Sequence, residues 1–149
     1  LPKIKGIPCL LAVFLIPVLL REAILMRLLF VMIGGFFGAI CRFVISEWAD
    51  TCNVFPLATL MINLSGCFIL AWFLTYVGQN KKIRPEFTLF VGIGFIGSFT
   101  TFSTFSMETL NLIQNGLFFM ATFYVLASTV LGILLAYSGY HLAIAKREK

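Results

Sequence analysis

Ser98, Thr100, Thr101, Ser103, Thr104 and Ser106 place six hydroxyls within nine residues, with Phe95, Phe99, Phe102 and Phe105 threaded between them. The whole stretch, Gly92 to Glu108, reads GIGFIGSFTTFSTFSME and opens on three glycines, Gly92, Gly94 and Gly97. Hydroxyls are neutral donors. They can replace an anion's water without trapping it as a buried cation would, and conduction requires that balance between entry and release. A phenylalanine ring has a positive edge, so a ring presented edge-on attracts an anion weakly. Phe95, Phe99 and Phe102 also fall at i, i+4, i+7, which is ordinary packing spacing for a helix.

Asn63 lies about seven residues inside a second apolar segment. An amide there is costly unless it bonds another helix or a pathway. Tyr124 and Ser128, at i and i+4, share one face of a fourth segment. Other chemistry is poorly supplied. No acid/base pair, nucleophile–base set, phosphate-cradling loop or metal cluster appears in the apolar segments. The four cysteines (Cys9, Cys41, Cys52, Cys67) have no C-x-x-C or Cys/His spacing, which argues against zinc, haem and redox roles. The segment centres carry neither carboxylate nor lysine, which argues against proton-coupled transport.

These residues need a bilayer to position them. Hydrophobic residues make up 60% of the chain and charged residues 11%, against roughly a quarter in a soluble domain. Mean hydropathy is +1.02. The pattern predicts an all-α integral membrane protein with no separate soluble domain. Four segments are expected at roughly 25–45, 56–77, 87–108 and 117–142. The first carries Gly34, Gly35 and Gly38 on a face suited to close helix packing, with Arg42 near its far end. Arg42 is either an interfacial snorkelling charge or part of an electropositive vestibule for anions. Residues 1–25 hold a shorter apolar run, about Ile7 to Leu20, broken by Pro8 and Pro17. They read as an N-terminal extension, an extra helix or a mis-assigned start, ahead of a four-helix core over 26–149.

The net charge of +5 is a topology signal, not a nucleic-acid footprint. Arg21, Arg27, Lys81, Lys82, Arg84, Lys146, Arg147 and Lys149 share one side of a four-helix core, with Arg42 alone on the other, near Glu47, Asp50 and Glu108. Eight against one predicts both ends of the core in the cytoplasm, in a cell membrane.

The motif G-x-x-G-S-x-T-T-F-S-T-F (Gly94 to Phe105), N-L-S-G after Thr59, and G-x-x-G-A-x-x-R-F (Gly35 to Phe43) together resemble the Fluc/CrcB family of fluoride channels over nearly all of residues 26–145. The resemblance implies an antiparallel, dual-topology two-subunit channel of four helices per subunit, the third broken at mid-membrane. It implies fluoride pathways edged by Phe102 and Phe105, with Asn63 donating to the anion. Thr59, Thr104, Tyr124 and Ser128 extend the polar track, and Arg42 sits near the aqueous entrance. It further implies a central Na+ held by backbone carbonyls of Gly97 and Thr100 from both subunits, unwound carbonyls being hard ligands for a hard cation. Two departures stand out: the N-terminal extension, and Gly132, where many members carry a hydroxyl.

An antiparallel homodimer needs nearly balanced basic residues across the membrane. The imbalance here predicts insertion in one orientation and pairing with an oppositely oriented homologue. The expected function is passive fluoride export that lowers fluoride toxicity, without enzymatic activity. Two alternatives are a small four-helix multidrug-type exporter, which should carry a Glu inside its first helix, and a non-conducting assembly subunit.

Overall fold

A computed structural model describes residues 9–49, 55–80 and 82–145, with side-chain surroundings from Ile24 onward. The expectations for Lys3, Lys5, Asp50, Cys52, Lys81 and the 146–149 tail lie outside the described residues, as do the side chains of Cys9, Arg21 and Glu22. All regular structure among the described residues is helical. Helix α1 runs Cys9–Ala49 and α2 Leu57–Gln79. The third span is composite: α3 (Pro85–Thr88), a π-helix (Leu89–Ile96), α4 (Gly97–Phe99) and, after a break, α5 (Phe102–Gln114). Helix α6 (Phe118–Ala145) closes the chain.

Four stretches are long and apolar enough to cross a membrane: Ile24–Trp48, Leu57–Gln79, Pro85–Gln114 and Phe118–Ala145. This is a multi-pass membrane protein. Most large apolar side chains, such as Met32, Phe36, Ile133 and Leu134, face outward, as they must where the solvent is lipid.

The third span is 30 residues long, where about 20 suffice for a continuous helix. It ends at Gln114, not near Glu108, because α5 continues unbroken from Phe102 to Gln114. Pro85 occupies the first helical turn of α3, where its missing N–H removes nothing from the ladder. At the other end, Gly116 adopts φ +76°. Gly116 N–H donates to Ile113 O (3.0 Å) and Leu117 N–H to Leu112 O (2.9 Å). These two bonds are the Schellman arrangement, which favours glycine at the left-handed position and turns the chain tightly into α6.

Packing pairs α2 with α6 and α1 with the π-helix. The small-residue face expected on the first segment makes the second of these contacts. A Cβ on Gly34 would run into Phe90 O, and one on Gly38 into Phe95 O, so the two backbones approach as only glycine allows. One buried cluster lies where Leu60, Leu112, Ala121 and Tyr124 pack with Phe105 and Leu117 against them.

Candidate functional site: a broken helix and its hydroxyl track

The break is local and well defined. Thr100 has ψ 152° and Thr101 has φ −143°, ψ 125°, so two extended residues interrupt the helical path. The backbone groups of Thr101 at the gap are met by a side chain, as buried polar groups must be. Asn63 Nδ2 donates to Thr101 O (3.0 Å), and Thr101 N–H donates to Asn63 Oδ1 (2.8 Å). The amide of α2 therefore pairs with the gap as another strand's peptide would. Thr101 then serves as N-cap for α5, its Oγ1 accepting from Thr104 N–H at 3.2 Å. Thr104 Oγ1 and Ser103 Oγ lie 3.1 and 3.2 Å from Thr101 Oγ1, a continuous patch of hydroxyls at the start of α5.

Asn63 was expected to donate toward an anion. Its clamp uses one N–H and one lone pair, which leaves the second Nδ2–H for a ligand. A cavity of about 390 Å³ lies beside it, with Asn63, Thr100, Phe102, Phe105 and Ser128 in its wall. Ser128 Oγ is buried there without a hydrogen-bond partner. Phe102 is 80% exposed, its ring 6.0 Å from that of Phe105. The break decides this. Phe95 and Phe99 stack at 6.2 Å on the first half of the span, whereas Phe102 begins a new helix and leaves their packing face.

Thr59 and Tyr124 join the site through Glu108, which sequence reasoning placed at the very end of the third segment. Thr59 Oγ1 donates to Glu108 Oε1 (2.7 Å), and Tyr124 OH donates to Glu108 Oε2 (2.8 Å). Thr59 is 2% exposed and Tyr124 fully buried, so the carboxylate is held in a closed three-way contact. The Tyr124 ring lies 5.0 Å from that of Phe105, which links this contact to the cavity. Glu108, expected at the end of the third segment, lies six residues inside the span Pro85–Gln114. Its signal was Thr104 and Glu108 at i, i+4, on one face of a helix that continues six residues further.

Arg42 stands apart from this cavity. It lies on α1, half-buried, with Nε lacking a hydrogen-bond partner. Gly97 also stands outside the cavity wall, at an exposed position. In a continuous helix Thr101 N–H would reach Gly97 O, but it goes to Asn63 instead, and the extended ψ of Thr100 turns its carbonyl out of the ladder. The carbonyl oxygens of Gly97 and Thr100 therefore have the chemistry a hard cation needs. Gly132 is buried, and a Cβ there would meet Cys67 Sγ at an ordinary 3.6 Å.

Comparison with known proteins adds to this geometry. The model of the family "CrcB-like protein, Camphor Resistance (CrcB)" matches residues 29–140. The chain is 48% identical over 124 residues to the fluoride-specific ion channel FluC of Oceanobacillus iheyensis, covering 83% of this chain and 96% of that one. It is 43% identical over 123 residues to the fluoride-specific ion channel FluC 1 of Bacillus cereus, covering 78% and 88%. It is 46% identical over 106 residues to the FluC 1 of Desulfitobacterium hafniense, covering 70% and 91%. The match takes in all four spans and both halves of the broken third one, and on that extent this chain belongs to the Fluc/CrcB family.

Proposed function

We propose that this protein is a fluoride-selective channel subunit that lets F− leave the cytoplasm passively, and that it is not an enzyme. The observation that carries the proposal is the cavity at the break. Neutral donors (the second Nδ2–H of Asn63, the unpartnered Ser128 hydroxyl and the threonine hydroxyls) meet the rings of Phe102 and Phe105 there. Such a lining strips water from a small anion and still releases it. When the outside is acid, HF enters and dissociates; the channel returns F− down the membrane potential.

The reading extends to assembly. The cavity and Phe102 lie open on one chain, which suits completion by a second subunit of opposite orientation, either another copy or a homologue. The Gly97 and Thr100 carbonyls from both subunits would hold a structural Na+ there, neutralising oxygens brought together at the centre. Arg42 would raise anion concentration at the aqueous mouth. The membrane is the plasma membrane, with both ends of the core cytoplasmic. A multidrug-type exporter is not favoured: the first span's one acid is Glu47, at its far end, and Glu108 is engaged by two hydroxyls.

The test is fluoride efflux from liposomes, followed with a fluoride electrode under a potassium gradient and valinomycin. Efflux of fluoride but not chloride supports the channel. A requirement for an oppositely oriented homologue supports one-way insertion. No efflux in either case would leave the assembly-subunit reading.

A further inference from the structure

A second cavity, of about 760 Å³, opens between α1 and the beginning of the third span, and it shares no residue with the cavity at the break. Among the described residues its charged groups are Arg27, Arg84 and Glu86; its walls include Phe30, Ile33 and Phe90. Arg27 is the fourth residue of the span Ile24–Trp48, and Arg84 immediately precedes the span Pro85–Gln114. The two guanidinium groups thus belong to the same end of neighbouring spans. From Arg27, α1 descends toward the bilayer centre, reaching Ile33 about 9 Å further on. The groove is cationic at its mouth and apolar below, which is the polarity profile of a lipid.

We propose that this groove holds one anionic phospholipid, its phosphodiester between Arg27 and Arg84 and an acyl chain along Phe30, Ile33 and Phe90. Arginine suits the role because its planar fork engages phosphate oxygens in pairs. Two arginines against one glutamate leave a net positive mouth, which favours an anionic headgroup over a zwitterionic one. The same basic end is the one that charge bias assigns to the cytoplasmic leaflet, where anionic lipid attracts basic residues next to membrane spans. The proposal does not depend on fluoride conduction.

Native mass spectrometry of the full-length protein, released from micelles containing equal phosphatidylglycerol and phosphatidylcholine, tests it. Retention of phosphatidylglycerol in preference is the expected result. Arg27→Gln and Arg84→Gln should each lower that retention about five-fold. Lys82→Gln, an exposed loop position outside the groove, should leave it unchanged. Equal retention of the two lipids, or unchanged retention in both arginine variants, overturns the proposal. A Phe30→Trp variant gives a second reading in bilayers. Phosphatidylglycerol brominated on its acyl chains should quench the added tryptophan more than brominated phosphatidylcholine does. Equal quenching, which a second copy covering the groove would produce, also overturns it.

Discussion

Glu108 and Asn63 each satisfy two partners at once, and their removal should reveal it. Tyr124→Phe keeps the ring against Phe105 but deletes the bond to Glu108 and leaves that half-buried acceptor short of a donor. We expect a loss of about 1.5–3 kcal/mol, read by thermal unfolding in detergent. Glu108→Ala strands the Thr59 and Tyr124 hydroxyls together and should cost more than Tyr124→Phe; an equal or smaller cost would mean the three groups are not coupled. Asn63→Ala leaves the N–H and C=O of Thr101 without partners, at roughly 1–3 kcal/mol each. Flux and melting temperature should therefore fall together in that variant, whereas a purely anion-coordinating Asn63 would lose flux alone. Sequence reasoning singled out Asn63 because a mid-span amide demands a partner. The partner itself, 38 residues away, is set by how α2 crosses the break, and spacing carries no record of that. Glu108 was read as the segment's end because Asn111 to Gly116 is polar enough to pass for a turn, whereas α5 continues to Gln114.

Between α1 and the π-helix the contact surface is backbone against backbone. Gly38→Ala puts a methyl group onto Phe95 O, an atom held by its own helix and unable to swing aside. The variant should lose at least about 1–3 kcal/mol and elute from size exclusion partly aggregated; an unchanged melting temperature would show that α1 can slide away without cost. At the break, Thr101→Val keeps shape but removes the cap on Thr104 N–H, for about 1 kcal/mol by the same unfolding measurement. The four spans and the glycine face were legible in composition and spacing, whereas the interruption of the third span came only from the resemblance of its motif to a known family. The π-helix was not legible. It differs from an α-helix in reaching one carbonyl further back and so in a wider turn, and LFVGIGFI is equally apolar in either form.

At the scale of the whole molecule, the outward-facing apolar surface of four spans calls for lipid, and the proposed second subunit would cover the open cavity. Phe102→Ile and Phe105→Ile should each preserve assembly on size exclusion and abolish flux through the pathway that ring edges; full flux in both would remove the aromatic edge from the mechanism. A tag at the C-terminus of the chain expressed alone should appear on the cytoplasmic face only, and labelling on both faces would refute one-way insertion. The wide turns of Leu89–Ile96 matter at this scale as well. Relative to an ordinary α-helix, a π-helical stretch takes in extra residue without extra turn. Its content therefore acts as a dial on everything downstream. Each residue added or removed there would rotate the threonines, Phe102 and Glu108 by about 100° around the span's axis. A one-residue deletion that restored regular helix would look harmless to hydropathy and to circular dichroism alike. It would leave the membrane protein folded and turn the polar track to face the wrong neighbour.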